Sequence, residues 1–197
     1  LLRAGRLAEL TIAGISLAAT HELIAMLPHS PPAELAARIH AIAGGNPFYI
    51  LETLRELQER GQLANPPADL PLPATIRETL LTRIAHVGAI ARQLLEAAAI
   101  LDPHLDDWLL QQTAARTAAE TVDGLDELIA HQLLRVGEHG NDTPAPAFPH
   151  GLLRGVILQS LTPWRRKLLH RRAHEALARF RPSLYATLAR HAEAAED

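Results

Sequence analysis

The chain has 197 residues, 48% of them hydrophobic, a formal net charge of −3 and no cysteine. That length holds one good core or two to three small ones. The missing cysteines exclude a disulfide framework and a thiolate zinc site, which suits a cytoplasmic protein. No run approaches the roughly 18 apolar residues of a membrane span, and the opening Leu1-Leu2-Arg3-Ala4-Gly5-Arg6 has neither an initiator Met nor an apolar signal core. It reads as a cut inside a longer protein. Charge is uneven: residues 1–160 carry 11 basic and 18 acidic side chains, whereas residues 161–181 carry seven basic and one acidic. Such a contrast suggests separate units with different faces.

In chain order, Leu7–Leu17 alternates imperfectly and predicts a short strand with Leu10, Ile12 and Ile15 inward. Thr20 is expected to cap a helix with apolar positions Leu23, Ile24 and Leu27, ending at Pro28. Ser30-Pro31-Pro32 opens a second helix with the stripe Leu35, Ile39, Ile42, closed by Gly44-Gly45. Asn46 and Pro47 start a third at once, with Ile50, Leu51, Leu54 and Leu57 following to Gly61. Residues 65–73 hold four prolines and read as a linker.

Beyond the linker, a helix through Ile76, Leu80 and Ile84 precedes a more apolar one over 89–101. Helices over 106–114 and 117–133 follow. Leu133-Leu134-Arg135-Val136 is the next predicted strand, with a loop over 137–146 before Ala147-Phe148, and helices followed by a β-hairpin fit a winged helix-turn-helix. A long amphipathic helix over 162–180 is expected to turn Trp164, Leu168, Leu169, Ala173, Ala176, Leu177 and Phe180 inward. Pro182 breaks it, and a partner helix over 184–196 has Leu188, Ala189 and Ala192 facing it. This pair could begin a helical-repeat array.

The stretches Gly44-Gly45-Asn46-Pro47-Phe48, Leu72-Pro73-Ala74-Thr75-Ile76-Arg77, Leu81-Thr82-Arg83-Ile84, Leu95 to Leu101, Phe148 to Arg154 and Arg165 to His170, in this order, resemble the STAND class of signal-transduction ATPases. Within that class they are most similar to the large ATP-binding LuxR-type and related bacterial transcriptional regulators. The resemblance implies a mainly α fold: residues 1–18 from the last strand region of a nucleotide-binding domain, 19–67 a helical lid, 68–160 a winged helix with a small β-hairpin, and 161–197 the first helices of a TPR-like repeat region. It also implies that the Pro47 ring packs on the adenine of ATP or ADP and that His150 senses the phosphates, with Arg154 one turn on facing the same way. ADP touching residues of two domains would clamp them, and exchange for ATP would shift the clamp.

The chain departs from that class in lacking the lysine of G-x-x-x-x-G-K-[ST]; its single lysine, Lys167, follows Trp164-Arg165-Arg166. The segment alone is therefore expected neither to bind nucleotide tightly nor to hydrolyse it, with magnesium held elsewhere and the missing nucleotide-binding domain as its first partner. His170 and His174 stand four apart as zinc ligands often do, but Arg171 replaces the glutamate of the protease pattern and no third ligand is evident, so a solvated helical face is expected. The basic run Arg165 to Arg172 is read as a solvated face or as a partner of the acidic first part. Residues 117–134, the helix that would enter a DNA groove, carry Glu120, Asp123, Asp126 and Glu127 and no Lys or Arg, so direct nucleic-acid binding is not expected. Two alternatives stand beside a nucleotide-switched regulator: a scaffold binding other proteins through residues 161–197, and a free-standing winged-helix DNA-binding protein.

Overall fold

The computed structural model describes residues 12–27, 31–139 and 143–196. They form ten helices and one antiparallel two-stranded hairpin, a mainly helical fold. The chain divides into two compact units, residues 1–73 and 74–197. No helix among the described residues is long and apolar enough to cross a membrane.

The first unit contains α1 (Leu17–Ala25), α2 (Ala33–Ala43) and α3 (Pro47–Glu59). Residues 7–11 of the predicted strand lie outside those described; Ile12–Ser16 are not strand, and Leu17 already opens α1. Ser16, not Thr20, caps α1: its hydroxyl accepts from the Ala19 amide at 3.1 Å. Thr20 lies one turn in and is buried, its hydroxyl 3.0 Å from both the Ser16 carbonyl and His40 Nδ1. A buried hydroxyl keeps its place only with such partners. The expected end at Pro28 lies outside the described residues.

Leu35, Ala36, Ile39 and Ala43 form the buried stripe of α2, and α3 adds Tyr49, Ile50, Leu54 and Leu57. Leu51, expected inward, is exposed. It sits about 100° around the helix from Ile50, and the 3.6-residue period leaves room for one of them on the core face. The linker after α3 is tied back by Arg38, whose guanidinium donates to the carbonyls of Pro67 and, at 2.7 Å, Ala68.

The second unit is built around α5 (Ala89–Leu101), which packs against α6 (Asp107–Ala114), α7 (Ala118–Ala130), α8 (Gly151–Ser160) and α9 (Pro163–Phe180). Its run Ala97-Ala98-Ala99-Ile100-Leu101 is buried throughout. Alanines let neighbouring helices come close on more than one side of this run, while the polar residues Arg92, Gln93 and Glu96 are confined to the earlier turns of the helix. On α4 (Ala74–Ala85), Ile76, Leu80 and Ile84 are inward as the periodicity predicts. Thr117 and Glu120 form a reciprocal capping box at the start of α7. Glu127 accepts the Gly88 amide at 2.7 Å, joining α7 to the start of α5.

Strands β1 (Arg135–His139) and β2 (Thr143–Ala147) pair with Val136 opposite Pro146 and Glu138 opposite Pro144. The hairpin is longer, and its loop shorter, than the predicted loop over 137–146. The prolines that read as loop sit two apart, so both missing N–H groups fall on the outer edge of β2, where a strand tolerates them.

Helix α9 begins at its Thr162 cap and packs on α10 (Tyr185–Glu196) and α6. Leu169, Ala173, Ala176 and Leu177 are buried as expected. Trp164 and Phe180 are not: they are 81% and 50% exposed. Both lie in terminal turns of α9, although Phe180 rests on Trp108 of α6 with ring centroids 3.8 Å apart. On α10 the fully buried residue is His191, while the expected Ala189 is exposed. Arg165, the first residue of the basic run, pairs with Glu96 of α5 at 2.8 Å, and Arg181, beyond the run, pairs at 2.5 Å with Asp106, the cap of α6.

Candidate functional site

In the first unit the corner between α2 and α3 is made of backbone. Gly44 closes α2 in the left-handed conformation (φ 60°), and Gly45 continues it with φ 73°. The Ile15 amide donates to the Gly45 carbonyl at 2.8 Å. A Cβ on Gly45 would lie 2.6 Å from the Ile15 carbonyl oxygen, and one on Gly14 would lie 2.8 Å from Gly44 and Gly45 backbone atoms. Two peptide segments thus meet with no room for a side chain, a contact that only glycine permits. Gly14 had no role assigned from the sequence, since nothing local marks a glycine that is needed by a segment 30 residues away. Asn46 then caps α3, accepting from the Phe48 amide at 3.0 Å. Pro47 occupies the first helical position and is exposed, beside Phe48 at 47% exposure.

In the second unit the corner at the start of α8 is made by a side chain. His150 is the cap of that helix, extended at φ −160°, with Nδ1 accepting from the Leu153 amide at 3.4 Å. Accepting at Nδ1 requires a neutral ring with its proton on Nε2. Burial first, and the Arg83 guanidinium second, hold the imidazole neutral by lowering its pKa from 6.5 to about 4. Arg83 comes from α4 and donates to the carbonyls of His131 and Gln132 at 3.0 and 3.1 Å, fastening the end of α7. A fixed cation and a helix N-terminus therefore share the surroundings of this imidazole, and both favour negative charge. The sequence singles out His150; the contribution of Arg83 comes from packing of α4 on α8.

Arg154, one turn into α8, has partners of its own. Its Nε donates to the Ala99 carbonyl at 3.0 Å and lies 3.3 Å from Asp102 Oδ2. It lines a cavity with Arg166, His170 and Arg190. His170 and His174 do not form a solvated face. His170 Nδ1 is 2.8 Å from Nδ1 of His191, and His174 Nδ1 donates to the Leu188 carbonyl at 3.1 Å, so both histidines bind α10. Among the described residues no group of three or more His, Cys, Asp and Glu side chains is placed to hold a metal ion.

On α7, Glu120 belongs to the capping box and lies 3.3 Å from Arg116, while Glu127 holds the start of α5. Asp123 and Asp126 are exposed, with no ion pair among the described residues. The four carboxylates therefore divide into two that brace the fold and two that present charge to solvent. No protein-family model matches the chain, and no curated protein matches it significantly.

Proposed function

We propose that this chain is the regulatory segment of a nucleotide-switched signalling protein, with α1–α3 as a lid, α4–α8 and the hairpin as a winged helix, and α9–α10 as the first pair of a TPR-like array. The nucleotide is ATP or ADP, held by a P-loop domain that this segment does not contain. The one lysine lies inside α9 and donates to the Glu196 carbonyl at 3.1 Å, a helical position unlike that of a phosphate-loop lysine. On this reading Pro47 gives an exposed rigid ring to the base and His150 a neutral imidazole to the phosphates. Conversion of ATP to ADP changes those contacts, and with them the populations of the arrangements the units adopt.

The observation that carries this reading is the half-buried imidazole that caps α8, its pKa lowered by burial first and by the Arg83 guanidinium second. The Arg83 charge and the free N–H groups of the α8 N-terminus favour a phosphate there, whereas the burial that contributes most to the shift does not. A hydrogen bond to a charged group is worth about 1.5–3 kcal/mol. In the protein carrying this chain together with its P-loop domain, His150→Ala should therefore weaken ADP roughly ten-fold or more and alter basal output. Unchanged ADP affinity and output would remove His150 from the switch.

A scaffold reading has one observation in its favour. Trp164 and Tyr185, on α9 and α10, are 81% and 77% exposed, and large aromatics at a surface are characteristic of binding faces. Truncation after Ser160 that abolishes partner capture while nucleotide response persists would favour it.

A further inference from the structure

We propose that the cavity walled by α5, α8, α9 and α10 is a binding site for a small oxyanion of the phosphate class. It has a volume of about 130 Å³, on the order of four water molecules' share of liquid volume. That admits a tetrahedral oxyanion, or the terminal phosphoryl group of a larger molecule, and is too small for a nucleotide's base and ribose as well. Its polar side chains are Arg154, Arg166, His170 and Arg190, and no carboxylate lines it. The nearest, Asp102, reaches Arg154 from outside the lining.

Donor accounting favours an acceptor ligand. Arg154 uses Nε on the Ala99 carbonyl and Asp102, and Arg166 uses one terminal nitrogen on the Leu158 carbonyl. A guanidinium has five N–H donors, so each of these retains several after capping the end of a helix. The Arg190 side chain has no hydrogen bond or ion pair among the described residues. Three guanidinium groups around one cavity repel one another, and Arg–oxyanion pairs are strong and directional. The lowered pKa of His170, caused by burial and then by Arg190 and Arg166, shows that both cations act on the imidazole in the cavity wall. All these residues belong to the second unit, and neither Pro47 nor His150 takes part, so the site stands whether or not the chain answers to nucleotide.

The test is a titration of the chain with inorganic phosphate against sodium chloride at matched ionic strength, following melting temperature and the His170 ring resonances. Phosphate should saturate with a dissociation constant on the order of 1 mM or tighter, and Arg190→Gln should weaken it about ten-fold. Arg190 carries no structural bond, so that variant should melt as wild type in chloride; Arg190→Lys, which keeps the charge, should recover part of the binding. ADP and adenosine form the other arms. Binding of phosphate and ADP but not adenosine assigns the site to a terminal phosphoryl group, and binding of phosphate alone assigns it to the free ion. A phosphate response no larger than that to chloride, or one that Arg190→Gln leaves intact, overturns the proposal.

Discussion

At the start of α3 the chain turns on Gly44 and Gly45, held by the backbone of Gly14 and Ile15; at the start of α8 it turns on His150, held by an imidazole and shadowed by Arg83. Both corners place a residue of interest at the first turn of a helix. The first depends on the absence of side chains, so almost any replacement at Gly14 or Gly45 meets main chain. The second depends on the presence of one side chain, whose loss leaves the fold intact while removing its chemistry. On the proposed reading, stability and function are carried by different residues at the two corners, and substitution separates them.

The largest expected effect is at the glycine corner. Gly45→Ala must hold a left-handed φ, at about 1–2 kcal/mol, and must displace a carbonyl, with overpacking adding about 1–3 kcal/mol. Urea unfolding of the variant should show a loss within about 2–5 kcal/mol, confined to the transition that reports residues 12–73. A loss below ~1 kcal/mol would mean that the contact with Ile15 is not tight.

Next in size is an acid sensitivity that belongs to the second unit. Burial lowers the pKa of His191 from 6.5 to about 3, with His170, Arg190, His174 and His104 facing it and adding to the shift; His170 and His150 are lowered as well. A folded-state pKa below the unfolded value means that protonation favours unfolding. The stabilisation is complete above about pH 6.5 and is lost as pH falls toward 3, at up to about 1.4 kcal/mol per pH unit for each such histidine. His191→Asn keeps an amide for His170 to bond and should reduce the slope by about one proton. An unchanged slope in calorimetry below pH 6 would place the titration elsewhere.

The smallest effect is the most diagnostic for the comparison. His150→Ala removes a cap whose hydrogen bond is long, at 3.4 Å, so the cost should sit at the low end of cap deletions, about 0.5–1 kcal/mol. A destabilisation several times larger would make His150 structural and erase the contrast with Gly45.

The helices on either side of the first corner were legible because proline and glycine punctuate them and because Leu35, Ile39, Ile50 and Leu54 keep a helical period. The same holds for α4 and α5. Three kinds of information were not local. Pro144 and Pro146 look like loop until the register pairs them with Glu138 and Val136 of β1. His191 looks polar until α9 supplies His170 as its partner. Trp164 looks like core until the helix proves longer than the surface that covers it. At the candidate site, His150 and Pro47 were visible as residues that open helices, and the close approach of Gly14 to Gly45 and the influence of Arg83 on His150 were not, since both arise from tertiary packing.

The central proposal is that Pro47 and His150 both respond to bound nucleotide. Hydrogen–deuterium exchange on a longer protein carrying this chain with the proposed P-loop domain tests it most directly, with and without saturating ADP. The account predicts slower exchange at the amides of residues 44–50 and 150–154 together, with His150→Ala diminishing both. Protection confined to the P-loop domain, or to only one of the two corners, would contradict it.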